Sequence, residues 1–304
     1  MKTLDIIVPV YNEESCIDET IKRLFGLREK FNGELFINYI FVNDGSKDKS
    51  FEILDKYAQN DPCVKVINFS RNFGHQMALS AGLDYSTSDY VAIIDADLQD
   101  PPELIYDMYK KSLEGFDVVY GKRLKRKSET IFKKFTAWGF YRLLKSMCKI
   151  EIPTDTGDFR FITGAVREAF KKMREQHRFI RAMVPWVGFK STPLYYNRDE
   201  RFAGETKYPL SKMLKLAFDG IFSFSSKPLE LINVLGIFAL VLAFCFLCAM
   251  FLSGFEEEWI ICTLLCFLFS MQLFATGILG QYIGRTYEET KSRPLYIVKE
   301  TRNL

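Results

Sequence analysis

The chain has 304 residues, of which 48% are hydrophobic and 26% charged, and its 41 lysines and arginines against 38 aspartates and glutamates leave a net charge of +3 at pH 7. So small an excess, spread along the chain or placed beside apolar segments, excludes a nucleic-acid-binding protein, which needs a clustered basic face. The seven cysteines, at 16, 63, 148, 245, 248, 262 and 266, include no close pair supported by histidine at zinc spacing, so they read as reduced, small apolar residues.

Composition divides the chain into a mixed, charged part up to about residue 226 and an apolar part beyond it, the pattern of a soluble domain followed by a membrane segment. The chain begins with "KTLDIIVPVY", an apolar run too short for a signal peptide, so no cleaved leader is expected. Leu4 to Val10 reads as a buried strand entering a loop at Tyr11, Asn12 and Glu13. Ile17, Ile21, Leu24 and Phe25 then recur at helical spacing behind Ser15 as a candidate N-cap. The next strand, Leu35 to Asn43, ends in "NDGSKD", and a helix follows over about Lys49 to Ala58. Val64 to Phe69 is a third strand, and "SRNFGHQMALSAGLDYS" supplies a glycine-broken loop and a helix. Tyr90 to Ile94 is a fourth strand, Pro102 to Leu113 a helix and "DVVYGK" a fifth strand. Short apolar strands alternating with amphipathic helices predict a mostly parallel sheet covered on both faces.

In such a sheet the ligand crevice lies beyond the carboxyl ends of the strands. That rule gathers "PVYNE", "VNDGS", "DADLQD" and "GKR" at one edge. Within "IIDADLQDPPE", Asp95, Asp97, Gln99 and Asp100 place three carboxylates and an amide oxygen on a turn closed by Pro101 and Pro102. Oxygen ligands of this kind suit Mg²⁺ or Mn²⁺ with positions left open for phosphate oxygens. The plainer alternative is a solvated acidic turn. Asp100 directly precedes the proline pair that opens a helix and is set aside as a helix-start or loop residue.

After Arg123 the pattern loosens into the basic, aromatic stretch "LKRKSETIFKKFTAWGFYRLLKSM", which suits either a membrane surface or packing on the sheet. "PTDTGDFRFITGAV" brings Asp155, Asp158 and Arg160 near one another, with a plain ion pair as the simplest reading. From Leu210 to Phe222 apolar residues fall on one helical face, which predicts an interfacial helix. Two uncharged runs follow, Leu231 to Leu252 and Trp259 to Ile283. At a rise of ~1.5 Å per residue they reach ~33 and ~37 Å, enough for a hydrocarbon layer about 30 Å thick. The short "SGFEEE" between them predicts a hairpin. Lys and Arg flank the pair and are absent from the turn, which by the positive-inside rule places the catalytic domain and both termini in the cytoplasm. Gly277, Gly280 and Gly284 suit close helix packing, within the hairpin or in a homo-oligomer.

Taken together, "VPVYNEE", "VNDGSKD", "SRNFGHQMALSAGLD", "DADLQDPPE", "GKR", "TGDFR" and "RFAGETKY", followed by two apolar runs, resemble a family 2 glycosyltransferase of the polyprenyl-phosphate type. Dolichol-phosphate mannose synthases and bacterial undecaprenyl-phosphate glucosyltransferases are the near relatives, and the resemblance covers nearly the whole chain. It implies a GT-A (Rossmann-like) α/β catalytic domain over residues 1–209 and a juxtamembrane amphipathic helix over 210–228. Two transmembrane helices within 229–284 and a cytoplasmic tail over 285–304 complete the expectation, a multi-pass protein of the inner membrane. The implied reaction is inverting, metal-dependent transfer of a hexose, glucose by default, from a UDP-sugar to undecaprenyl phosphate at the lipid bilayer. A mannose synthase using GDP-mannose is the alternative; a processive polysaccharide synthase or an inactive scaffold fits less well. By the same resemblance Pro9, Tyr11 and Glu13 contact the nucleoside, and Asp44 hydrogen-bonds uracil or ribose. Asp95, Asp97 and Gln99 bind the metal, and Arg123 contacts the donor phosphates. Arg201 and Lys207 bind donor and acceptor phosphate, and Asp158 is the candidate base, although it could instead position Arg160 or the sugar. His75 and His177 are read as structural.

Overall fold

A computed structural model describes residues 1–124, 156–197, 227–253 and 257–304. The expectations attached to Arg201, Lys207, Asp155 and the amphipathic stretch 210–222 lie outside these residues. The described chain falls into two compact units, one containing residues 1–124, 156–197 and 294–304, the other 227–253 and 257–293.

The first unit is built on β1 (Lys2–Val10), α1 (Ile17–Phe31), β2 (Leu35–Asn43), α2 (Ser50–Asn60), β3 (Val64–Phe69), α3 (His75–Tyr85), β4 (Tyr90–Ile93), α4 (Leu104–Leu113) and β5 (Val118–Arg123). It continues with β6 (Thr156–Thr163), α5 (Gly164–Lys172), α6 (Ile180–Trp186), β7 (Ser191–Tyr196) and β8 (Val298–Arg302). The strands form one sheet in the order β7-β5-β6-β4-β1-β2-β3-β8. Pairings β1 with β2, β1 with β4, β2 with β3 and β5 with β7 are parallel. Strand β6 runs antiparallel between β4 and β5, and β8 closes the far edge antiparallel to β3. The mostly parallel GT-A-like sheet expected from the sequence is present.

Strand β1 shows why the sheet needs both faces covered. Leu4, Ile6, Val8 and Val10 pack into one core with Ile17, Ile21 and Leu24 of α1. Ile7, also fully buried, points the other way, against α3. This alternation with both sides dry is what a continuous apolar strand buys in a parallel sheet. Contact with α3 is closest at Gly82, where an added Cβ would stand 2.3 Å from Ile7 Cγ2.

The second unit's described residues form two helices, α7 (Lys227–Ser253) and α8 (Glu257–Thr290). Here the membrane expectation is corrected. Among the described residues no helix is long and apolar enough to cross a membrane. That overturns the transmembrane hairpin over 231–252 and 259–283, and with it the multi-pass inner-membrane placement and the assignment of sides drawn from it. Crossing needs about 20 consecutive apolar residues in one helix. The uncharged runs are not whole helices: α7 opens through Lys227 and Glu230, and α8 runs from Glu257 and Glu258 through to Arg285, Glu288 and Glu289. Large apolar side chains on the two helices, among them Phe244 and Phe269, are exposed.

Gly82→Ala tests the packing of α3 on β1. Helix propensity alone favours alanine by about 1 kcal/mol, but overpacking a dry contact costs about 1–3 kcal/mol. Because the atom met belongs to a fully buried strand residue, a lower melting temperature is expected; an unchanged or higher one would refute the contact.

Candidate active site

The loops after β1 and β2 are stitched together by side chains that cap each other's backbone. Asn12 N donates to Ser46 Oγ at 2.9 Å and Lys47 N to Asn12 Oδ1 at 2.8 Å. Glu13 N donates to Ser50 Oγ at 2.9 Å, Glu14 N to Asp48 Oδ2 at 3.1 Å and Lys49 N to Glu14 Oε2 at 3.0 Å. Asn12 takes a left-handed φ of 53° to make this possible, a conformation asparagine tolerates better than most residues. The third loop joins through Asp44. Its carboxylate, 3% exposed as a residue, accepts from Phe73 N at 2.7 Å, from Gly74 N at 2.9 Å and from Asn72 Nδ2 at 2.9 Å. Gly45 next to it has φ 63°, and a Cβ there would stand 2.4 Å from the Arg71 carbonyl carbon. Asp44 thus fixes the 72–74 loop, and through it the start of α3.

The acidic motif follows β4. Its backbone is held by Thr20 Oγ1 and Cys16 Sγ, which both donate to the Ala96 carbonyl, at 2.8 and 3.3 Å. Leu98, buried, has φ 58°, and Gln99 N donates to Asp97 Oδ1 at 3.2 Å. A left-handed leucine is strained, and such strain concentrates where a loop is shaped for a ligand. Strand β6 pairs Arg160 with Ile93. Continuing this antiparallel register by two residues sets Asp158 across from Asp95. His75, at the first turn of α3, bridges them, its Nε2 lying 3.1 Å from Asp158 Oδ2 and 3.7 Å from Asp95 Oδ1. Asp158, 2% exposed, also accepts from Arg181 Nε and Nη2 at 3.0 and 2.9 Å, and lies 3.5 Å from Arg160 Nη2.

These two carboxylates experience opposite electrostatics. Burial alone would raise the Asp158 carboxyl, but Arg181 and His75 hold it well below the usual carboxylate range. Burial pushes Asp95 up to about 6; His75 opposes that shift, while Asp158, Asp100 and Asp97 add to it. Asp95 Oδ1 is buried without a hydrogen-bond partner although the side chain as a whole is 28% exposed, and a buried oxygen left unpaired is costly. An anionic cluster with one unanswered oxygen is chemically suited to a cation. Among the described residues, however, no three His, Cys, Asp or Glu side chains converge as a complete metal site. Asp95 and Asp97 with Gln99 would therefore hold a cation only together with ligand oxygens, as hard divalent ions at phosphate sites do.

The other expected residues take their places at the same edge. Pro9 is buried in β1 opposite Val42, Tyr11 is half-buried just beyond the strand, and Glu13 Oε2 lies 3.2 Å from Cys16 Sγ. Arg123, ending β5, lies 3.8 Å from Asp100 Oδ1 and donates from Nε to Tyr196 Oη at 3.4 Å. Tyr196 in turn donates to Asp100. Asp100 is thus a buried anchor for Arg123. Two residues of this edge escaped the sequence reading. The sequence reads His75 as structural, and Arg181 lies in "QHRFIRAM", which carries no motif; the pairing of β6 with β4 sets Asp158 where both reach it.

A mostly parallel sheet with acidic loops at its carboxyl edge defines a GT-A-like α/β fold. The fold is similar to that of mannosyl-3-phosphoglycerate synthase from Rubrobacter xylanophilus, with a TM-score of 0.52 over 72% of this chain and 71% of that one at 15% identity. Residues 5–172 match the family described as Glycosyl transferase family 2, and the chain belongs to it, as a glycosyltransferase. It is 51% identical to the uncharacterized glycosyltransferase YkcC of Bacillus subtilis (strain 168), over 97% of this chain and 93% of that one. It is also 38% identical to the prophage bactoprenol glucosyl transferase homolog of Escherichia coli (strain K12), over 98% and 99%, and 37% to the bactoprenol glucosyl transferase of Shigella phage SfX, over 98% and 99%.

Asp95 gives a pH prediction. Its proton is retained to about pH 6 in the folded chain against 3.8 ordinarily, so between those values the folded state binds more protons than the unfolded one and stability falls as pH rises. In chelator, Asp95→Asn should melt close to wild type at pH 4 and increasingly above it towards pH 7. A difference between the two that does not vary with pH would contradict the assigned environment.

Proposed function

We propose that the enzyme transfers glucose from a UDP-sugar to undecaprenyl phosphate, with inversion at the anomeric carbon. The observation that carries the reading is the buried, unanswered Asp95 oxygen beside Asp97 at the strand-end edge, a place for a cation shared with a diphosphate. The glucose and the lipid phosphate are supported by the near full-length likeness to the bactoprenol glucosyl transferases. When bound, Mg²⁺ or Mn²⁺ on Asp95, Asp97 and Gln99 supplies charge neutralisation to the leaving diphosphate.

The residues do the rest by placement. Pro9, Tyr11 and Glu13 line the end of β1 for the nucleoside, and the Asp44-held loop forms the wall beside it. Arg123, steadied by Asp100 and Tyr196, is preorganised to meet phosphate charge. Arg201 and Lys207 are assigned to the donor and acceptor phosphates from their motif. An acceptor phosphate oxygen forms the new bond to the anomeric carbon as the bond to the UDP oxygen breaks, and the electron pair leaves with UDP. A phosphate monoester is already anionic at neutral pH, so the nucleophile needs no deprotonation.

The test incubates the purified full chain with a panel of nucleotide sugars, UDP-glucose and GDP-mannose included, undecaprenyl phosphate and Mn²⁺. A single glycolipid from UDP-glucose is expected; product only from GDP-mannose would overturn the donor, and a polymer ladder the acceptor. Asp97→Asn should lower transfer by at least about 10²-fold while melting near wild type, and substantial retained activity would sink its metal role.

A further inference from the structure

Asp158 sits where a proton acceptor would be sought, yet its carboxylate is fully engaged. Arg181 Nε donates to Oδ1 at 3.0 Å and Nη2 to Oδ2 at 2.9 Å, the side-on, two-point geometry that fixes a carboxylate in orientation as well as position. An ionised carboxylate only accepts, so the 3.1 Å contact to His75 requires the hydrogen on Nε2. Arg160 approaches the same carboxylate at 3.5 Å and donates to the backbone oxygens of Asp158 and Gly157 at 3.1 and 3.0 Å. Taking up a proton would mean giving up one of these charge-assisted bonds in a site 2% exposed.

The position of Arg181 is itself built from the site. Ile180 N, the residue before it, donates to Gln76 Oε1 at 2.9 Å, and Arg160 Nη1 donates to the Ile180 carbonyl at 3.4 Å. Gln76 and His75 are neighbours at the start of α3, so one helix end helps to locate both groups that meet at Asp158 Oδ2. Arg181 keeps a side chain 30% exposed, so it does not lie in the core.

We propose that Arg181 is a positioning residue for the transfer reaction: by gripping both oxygens of Asp158 it fixes that carboxylate and His75 against the Asp95 side of the site, and Asp158 serves as an orienting anion, not a proton acceptor. This rests on the proposed transfer to a phosphate acceptor, in which the new C–O bond forms and the UDP bond breaks with no proton to be removed.

The experiment measures initial rates for wild type, Arg181→Ala, Arg181→Lys, Asp158→Asn and the Arg181→Ala/Asp158→Asn double variant, each with its melting temperature. Misplacing a group by about 1 Å costs about 10²-fold. Arg181→Ala should therefore lose about 10²-fold in kcat, with the donor KM moving less than about threefold. Arg181→Lys or added guanidinium should recover part of it, and the double variant should be no worse than the poorer single one. Loss confined to the donor KM, a rate within about threefold of wild type, or independent additive losses would overturn the assignment. A crystal structure of ligand-free Arg181→Ala, or Arg181→Lys if alanine does not fold, supplies a readout apart from turnover. Displacement of Asp158 from His75 beyond about 3.5 Å supports the grip, and an unmoved carboxylate refutes it. Absence of glycolipid from wild type would overturn the acceptor reading alone, leaving that structural comparison to decide the role of Arg181.

Discussion

A carboxylate taken out of water must have its charge answered, and the site depends on how differently two neighbours meet that demand. Asp158 is answered from within the protein, by Arg181, His75 and Arg160. Asp95, two register positions past the last β4–β6 pair, is answered less fully, with His75 Nε2 3.7 Å from its Oδ1. Its carboxyl is pushed up to about 6 and one oxygen lacks a hydrogen bond. Groups held this far apart in ionisation by their surroundings have separate tasks. One is a fixed anion built into the scaffold, and the other waits for charge brought by a ligand.

Around these carboxylates the loops are held by hydrogen bonds to one another. Asn12, Ser46, Glu14 and Asp48 cap one another across the loops after β1 and β2. Asp44 ties in the 72–74 segment, and Thr20 with Cys16 pins the Ala96 carbonyl. Rigid placement of this kind is what lets a site present charge without reorganising when the reaction occurs. The far edge contributes as well: β8 pairs with β3, and Tyr296 stacks on Phe69 at the end of that strand at 5.0 Å while donating to Asp84.

Much of this frame is legible in the sequence. Leu35–Asn43 and Val64–Phe69 appear with the bounds read from their apolar runs, and β1, β4 and β5 agree to within two residues. Strands buried on both faces need unbroken apolar residues, and the polar residues that end them mark the site edge. What was not legible is pairing over distance. His75 reaches Asp158 across 83 positions and Arg181 across 23, and neither spacing leaves a local trace. The apolar runs after residue 230 belong to the same limit, since a count along the chain records hydrophobicity but not where a helix begins and ends.

By itself, then, the sequence determined the α/β class, the strand ends that carry polar loops and the acidic turn at 95–99, because each follows from periodicity and turn chemistry within a few residues. Only the tertiary structure decided that β6 turns back antiparallel beside β4. It thereby decided that Asp158 is held by Arg181 and His75 while Asp95 keeps one oxygen without a hydrogen bond, because burial and charge compensation depend on which distant strands become neighbours.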